Sequence, residues 1–396
     1  MTSGDSSAWK RGDPIGYIRA EAPEFAMPAY QGEQYEKSVP DTLDVAARAD
    51  LAIRFITNLA DPDADCEVYW PVLLNRNPPV MWHDWNGFAI QPKFQEALPL
   101  LRGMTGNQCN IEVDRTWVRT LLRMQGEDGL IYMPAVGRPW ARLGTSPGWF
   151  KGDDGGDQFA AIHVNGHLAG VMALYYRQTG EELWKEGIER LVDRLAQLMV
   201  YKDDYCYFPM LTASPGACVT GKEGIIDPDC REESGGSVAG WIIHGLCQAY
   251  LTIGYEPALT LAGRLAVYLI KHSGCYDEEA RFLGMAHTHH HLKPLIGLLE
   301  YALITADTDI MEFARKGYEY ARSCGSPTIG FYPSIPGPDA TYDYKTVQYY
   351  FGRYSEGCSV ADFIALGVKL SQAGIADCWD DADRCARNHF FESQML

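Results

Sequence analysis

Residues able to do acid–base or metal chemistry are gathered in four short clusters of the sequence. In the first, Asp153, Asp154 and Asp157 lie among glycines, and His163 and His167 follow at the spacing of one helical turn. Carboxylate and imidazole groups at this density can bind a metal ion or hydrogen-bond to sugar hydroxyls. The segment also fits a simpler interpretation, a turn in which Asp157 caps the next helix. We take Asp154, Asp157, His163 and His167 as candidate substrate-binding residues.

The second cluster contains Glu232 and Glu233, immediately before another predicted helix. One carboxylate, for which Glu233 is the candidate, can reach into a cavity and bind substrate. An acidic first turn is also what the dipole of a helix favours, so a purely structural role explains the pair as well.

The third cluster places four histidines within residues 287–291. His287 and His291 have the spacing that puts two side chains on one face of a helix. Zinc binding is one interpretation, although the glutamate of the His-Glu-x-x-His pattern is missing between them. Neutral imidazoles that hydrogen-bond to sugar hydroxyls fit equally well, with His287 and His289 as candidate substrate-binding residues.

The fourth cluster pairs Glu356 with Cys358 at the start of a predicted helix. A cysteine near a helix N-terminus has a depressed pKa and more thiolate character. Thiolate and carboxylate are both zinc ligands, so the pair is a candidate metal site and a candidate catalytic site.

Apolar residues at helical spacing predict the elements that position these clusters. Turns ending in glycine or a small polar residue recur between neighbouring segments, which is typical of helix hairpins. The predicted helices cover 41–59, 91–103, 110–124, 159–178, 182–200, 235–252, 256–272, 288–304, 309–323, 355–372 and 377–392.

The connections within hairpins are short, whereas 125–158, 201–234 and 324–354 are long. In a ring of hairpins all the long connections emerge at one end, so the four clusters should meet there. We therefore predict an all-α chain folded as an (α/α)6 barrel, one helix short of closure, with short β-hairpins in its long loops. Residues 1–40 are expected to form an extended arm and residues 41–396 the helical catalytic domain.

Composition limits the partners that the chain can have. Its 396 residues carry a formal net charge of −18, which repels nucleic acid and anionic membrane surfaces. It contains 11 cysteines, an odd number, with no secretory signal, so we expect reduced thiols and a soluble, cytoplasmic protein. A carbohydrate is the expected partner, and a homodimer is compatible with the sequence.

Three stretches resemble the β-L-arabinofuranosidases, glycoside hydrolase family 127 and its relatives. Tyr354–Ala361, continued by Asp380–Asn388, is similar to that family's Tyr-Thr-Glu-Thr-Cys-Ala helix and the Asp-x-x-Glu helix after it. Gly284–Gly297 looks like its Gly-x-His-Ala-Asn-Thr segment, and Val164–Gly170 with Thr179–Gly180 is similar to a third motif. The likeness covers roughly the last 240 residues, as scattered motifs in the same order.

The resemblance implies an (α/α)6 barrel with a zinc ion held by one glutamate and three cysteines. Glu356 and Cys358 would then be zinc ligands, and His287 would line the sugar subsite. The family's acid/base glutamate lies in the loop before this helix, where the present chain offers Asp339 and Asp343 instead. The family's Cys-Cys pair has no counterpart before the last residue, so we expect the chain to be a fragment of a longer protein.

The function expected from this sequence is that of a retaining glycosidase acting on a plant or microbial glycan. A cysteine would attack the anomeric carbon, a carboxyl group would protonate the leaving oxygen, and zinc would hold the thiol deprotonated. Two other enzymes stay open on the same fold: a two-carboxylate uronic-acid glycosidase and a polysaccharide lyase using the histidine cluster. A non-catalytic toroid that binds sugar or serves as a scaffold is the remaining alternative.

Overall fold

Helices dominate the part of the chain that the structure describes. The structure is a computed structural model, and it describes residues 14–32, 44–70, 72–74, 76–83, 87–141, 157–209, 212–219, 236–283, 288–332 and 357–394. In chain order the helices are α1 (Val45–Asn58), α2 (Gly87–Thr105), α3 (Ile111–Met124), α4 (Ile162–Thr179), α5 (Glu182–Gln197), α6 (Gly236–Ile253), α7 (Glu256–Lys271), α8 (Thr288–Thr305), α9 (Thr308–Cys324), α10 (Gly357–Gln372) and α11 (Trp379–Cys385). None of these described helices is long and apolar enough to cross a membrane.

The observed helices confirm the helical segments predicted from periodicity. The segment predicted at 182–200, for example, is helical over Glu182–Gln197, and the one at 288–304 over Thr288–Thr305. The last segment differs in kind, because α11 passes into a π-helical turn over Ala386–Phe390. There the amide of Phe391 donates to the carbonyl of Ala386, at 2.9 Å, in place of regular α-helical pairing.

Short strands lie in the connections between helices, as the sequence predicted. Each pairing among them is antiparallel: β1 with β2, β3 with β4, β6 with both β5 and β9, and β7 with β8. The strands are β1 (Ala60–Asp61), β2 (Glu67–Val68), β3 (Val72–Leu73), β4 (Val80–Met81), β5 (Met133–Pro134), β6 (Gln158–Ala161), β7 (Val200–Tyr201), β8 (Cys206–Tyr207) and β9 (Thr212–Ala213).

The chain divides into two compact units. The first comprises residues 1–165, 174–194 and 212–217, and the second comprises 166–173, 195–211 and 218–396. The expected division into an arm, 1–40, and a helical domain, 41–396, stays a prediction.

In the first unit, α1, α2 and α3 meet around an apolar core. Ile53, Leu98 and Trp117 are each almost completely buried there. A buried ion pair joins α2 to α3, with Arg102 Nη2 2.7 Å from Asp114 Oδ2. The buried face of α3 consists mainly of apolar residues, with Asp114 of the ion pair buried among them, and this amphipathic pattern is what predicted the helix.

In the second unit, α6 packs against α7 and α8, and α8 packs against α9 and α10. Glycines bring the backbones of two of these helices together. A Cβ atom added to Gly240 of α6 would overlap the Cα atom of Pro294 in α8, and one added to Gly297 would lie 2.6 Å from the carbonyl oxygen of Gly240. The close approach fixes α6 and α8 relative to each other, and these two helices carry most of the candidate site.

Candidate active site

Glu300 is the centre of a buried network that joins three helices of the second unit. Its Oε2 atom lies 2.6 Å from Nδ1 of His244 on α6, and its Oε1 atom accepts a hydrogen bond from Nζ of Lys369 on α10, at 2.7 Å. Burial raises the pKa of this carboxyl, but the charges and hydrogen bonds of His244 and Lys369 lower it to about 2. Glu300 is therefore ionised in the folded protein, and His244 presents Nδ1–H to it.

A second histidine–carboxylate pair lies on the same three helices. Nδ1 of His289 on α8 is 2.5 Å from Oδ2 of Asp362 on α10, and both side chains are largely buried. The ring of Trp241 on α6 lies beside this pair, with its centroid 5.1 Å from that of His289 and 5.8 Å from that of His290. An aromatic ring next to polar groups is the usual setting for a bound sugar, whose ring has an apolar face.

Each helix contributes two of these side chains from one face. The pairs are Trp241 and His244 on α6, His289 and Glu300 on α8, and Asp362 and Lys369 on α10. Their spacings of three, eleven and seven residues are close to one, three and two helical turns, so the members of each pair lie on the same side of their helix. Regular helices rather than loops hold the groups, which favours a fixed geometry.

The histidine cluster divides into residues with different environments. His289 binds Asp362, as described above, and His290 lies half-buried near Trp241. His291 has a core position: its Nε2 atom is 3.1 Å from the carbonyl oxygen of Leu283, and its ring stacks on Phe282 at 4.6 Å. His287 lies outside the described residues. His291 thus belongs to the core, whereas the predicted role of His289 in substrate binding stays a prediction.

Cys358 is half-buried in the first turn of α10, one helical turn before Asp362. Its predicted partner Glu356 lies outside the described residues, as do the candidates Asp339, Asp343, Asp154 and Glu233. Within the described ranges, no group of three or more histidine, cysteine, aspartate or glutamate side chains is arranged to hold a metal ion. The zinc site therefore stays a prediction.

The first predicted cluster is spread along the entry to α4. Asp157 is exposed, and its carbonyl oxygen accepts a hydrogen bond from the amide of Ala135, at 2.9 Å. Strand β6 separates it from the helix, whose N-cap is Ala161, so the alternative in which Asp157 caps the helix is wrong. His163 is half-buried in the first turn of α4, and His167 is buried one turn later. Their predicted role in substrate binding is untested.

Sequence reasoning missed His244, Glu300 and Lys369. The three residues are separated by 56 and 69 positions, so nothing local links them. A weak signal was available nonetheless. Each is a polar residue whose immediate sequence neighbours in the helix are mainly apolar, where burial without a partner would be unfavourable.

The first unit contains a polar cluster that was also missed. The ring of His83 is stacked between Tyr69 and Trp140, at centroid distances of 4.4 and 4.5 Å, and its Nε2 atom lies 3.0 Å from Asp61 Oδ2. Nearby, Arg138 forms a buried bidentate pair with the carboxylate of Glu67. Hydrogen bonds from Tyr69 and Trp140 complete the network around the two carboxylates, a pattern typical of a structural polar core.

Comparison with known proteins identifies the fold. No family model matches the chain, and no curated protein matches it either. Among solved structures, a sugar epimerase from a ruminal bacterium has a TM-score of 0.57 at 10% identity, covering 87% of this chain and 86% of its own. Cellobiose 2-epimerase from Bacillus thermoamylovorans has a TM-score of 0.56 at 10% identity, covering 86% of each chain. A D-mannose isomerase has a TM-score of 0.54 at 10% identity, covering 87% of each chain.

This likeness confirms the fold class predicted from the sequence, an all-α (α/α)6 barrel. At this identity it concerns the fold alone, because one fold supports many activities. The resemblance to the β-L-arabinofuranosidases is supported as far as the helical-barrel architecture, and no further.

Proposed function

We propose that the protein is a carbohydrate-active enzyme that transfers a proton at the carbon next to the carbonyl group of a reducing sugar. The observation that carries the proposal is the pair of histidines, His244 and His289, each held by a carboxylate on neighbouring helices. A histidine oriented in this way by a carboxylate is a typical general acid or base. The product would be an epimer or the corresponding ketose.

The chemistry needs a positioned proton carrier. An imidazole removes the proton from C2 of the open-chain aldose, and the electron pair moves to the carbonyl, giving an enediolate. For isomerisation the imidazole returns the proton to C1 while the hydroxyl proton on O2 moves to O1; for epimerisation C2 is reprotonated on its opposite face, which takes a second donor. Glu300 and Asp362 each bind Nδ1, and Nε2 is the ring nitrogen that we propose exchanges protons with substrate. Trp241 would face the apolar side of the sugar.

Similar proteins support this choice. The three solved structures described above are named as a sugar epimerase, a cellobiose 2-epimerase and a D-mannose isomerase. Proton transfer beside the carbonyl group is a direct chemical route to 2-epimerisation and to aldose–ketose isomerisation. The proposal takes from them the type of reaction, and it takes the residues from the geometry of this chain.

A retaining glycosidase of the β-L-arabinofuranosidase type is the second candidate. The observation that favours it is Cys358, half-buried in the first turn of α10, one turn from Asp362. Its thiolate would attack the anomeric carbon while a carboxyl group protonates the leaving oxygen. The described residues supply fewer donors than zinc requires, so we assign no step to the metal.

Deuterium incorporation separates the two candidates. The protein is incubated in D2O with mannose, glucose or cellobiose, and the C2 proton is followed by NMR. An epimerase or isomerase loses this signal while a second sugar appears. Parallel incubations with aryl glycosides, arabinofuranosides and glucuronides included, detect hydrolysis.

Variants connect the activity to the site. Under the first proposal, H289N and D362N should each lower the exchange rate by about 10²-fold or more, because the acid–base group is lost or misoriented. D380N, at a carboxylate with 88% of its side chain exposed, is the matched control and should keep full activity. Hydrolysis that is lost in C358S, without any exchange at C2, would instead support the glycosidase.

A further inference from the structure

Lys369 and His244 bind opposite oxygens of the same carboxylate. Nζ of Lys369 lies 2.7 Å from Glu300 Oε1, and Nδ1 of His244 lies 2.6 Å from Oε2. The side chain of Glu300 is 6% exposed, whereas that of Lys369 is 34% exposed. The side chain of Lys369 thus approaches from the solvent side, and its ammonium group binds the buried carboxylate of Glu300.

Among the described residues, Glu300 lies 2.6 Å from His244 and Lys369 binds the other oxygen of that carboxylate. The helices around His244 carry further titratable side chains, among them His289, His290 and Lys293 on α8, Asp362 on α10, His167 on α4, Tyr268 on α7 and Cys247 on α6 itself. Burial raises the pKa of Cys247 well above its usual value, so this thiol stays neutral. The face of α7 that is buried against its neighbours is otherwise built from alanine and leucine.

A carboxylate beside an imidazole favours the protonated, cationic ring, and a nearby ammonium group opposes it. At a separation of about 6 Å with an effective dielectric constant of about 20, one charge changes the proton affinity of a histidine by one to two pH units. Partial exposure of the lysine reduces this effect to about one unit.

We propose that Lys369 is a positioning residue for His244: by binding the second oxygen of Glu300, it lowers the proton affinity of the imidazole, so that the neutral ring with its hydrogen on Nδ1 persists to lower pH. Glu300 then orients the ring, and Lys369 offsets part of the negative charge that favours the cation. Nε2 keeps the lone pair that a base needs. This assignment rests on the proposed function and adds to it that His244 is the base.

Titration of the histidine tests the assignment without any substrate. The Cε1–H signals of histidine-labelled full-length protein are followed by NMR against pH, and the signal of His244 is identified by its absence in H244Q. In K369M we expect the pKa of His244 to rise by about one unit, because the carboxylate now acts alone. In E300Q the pKa of His244 should fall below its value in the unmodified protein, because the carboxylate that favours the cation is lost.

Two matched variants control for other effects. K369R keeps the positive charge and should leave the titration of His244 unchanged. K316M removes a lysine from an outlying ion pair with Glu279 and should also leave it unchanged. If K369M does not fold, K369Q provides the same loss of charge in a polar side chain. A His244 pKa that stays constant or falls in the charge-removing variants overturns the proposal.

Kinetics give the second readout. If His244 is the base, the apparent pKa on the acid side of the kcat/KM–pH profile should rise by about one unit in K369M. The limiting value of kcat/KM at high pH should be largely kept. A purely structural role would lower activity at every pH and leave this apparent pKa in place. Absence of any C2 exchange would refute the proposed function, whereas the NMR titration would still decide the role of Lys369.

Discussion

A single residue, Glu300, makes the stability of the folded chain depend on pH. Its pKa is lowered from 4.5 to about 2 in the folded protein. A carboxyl with a lowered folded-state pKa stabilises the protein above its unfolded-state pKa, and this contribution disappears as the pH falls through the folded-state value. The window of loss therefore runs from about pH 4.5 down to about pH 2.

We predict that E300Q removes this dependence. The contribution of Glu300 to the free energy of unfolding above the window is on the order of 3 kcal/mol, given the size of the shift. Urea unfolding across the acidic range should show a smaller decline with pH in E300Q than in the unmodified protein. E186Q is the control, because Glu186 is an exposed glutamate on the surface of α5. Equal slopes for all three proteins would contradict the prediction.

At the scale of elements, the close contact between α6 and α8 is possible because Gly240 has no side chain. Gly240 lies against Pro294 so closely that a methyl group has no space. We predict that G240A lowers the free energy of unfolding by at least about 1–3 kcal/mol, the usual result of overpacking. Chemical denaturation followed by circular dichroism measures the change.

A second glycine provides a control in which the same substitution should change the free energy of unfolding in the opposite direction. Gly103 lies inside α2, and a Cβ atom added there would meet nothing within 4 Å. G103A should therefore raise the free energy of unfolding by about 0.5–1 kcal/mol, because alanine has the higher helix propensity. Destabilisation of equal size in both variants would show that packing at Gly240 is not the cause.

These elements also show how far the sequence could be read. Helices such as α5 and α8 were predicted because their apolar residues repeat with the period of the helix. The partners of His289 and His244 could not be predicted, since Asp362 and Glu300 are distant in sequence and meet only when the helices pack. His291 shows the limit most clearly: its type and spacing matched those of a ligand, yet it lies against Phe282 in the core.

Across the whole molecule, the formal net charge of −18 opposes the folded state. Like charges repel more strongly when the chain is compact, and dissolved salt screens this repulsion. We predict that raising NaCl from about 20 mM to about 300 mM increases the melting temperature at neutral pH. Near the sequence pI of about 4.9 the same addition should have a smaller effect, because the net charge is close to zero. A fall in melting temperature with salt at neutral pH would contradict this account.

The contact of α6 with α8 has a consequence for how new specificities could arise. Helices braced backbone to backbone at Gly240 and Pro294 cannot move apart to admit a bulkier ligand without losing that contact. Laboratory selection for a different ligand should therefore leave the helical frame intact. We predict that its successful mutations fall outside the contact of Gly240 with Pro294, so that the groups proposed for catalysis are inherited unchanged while the choice of ligand diverges.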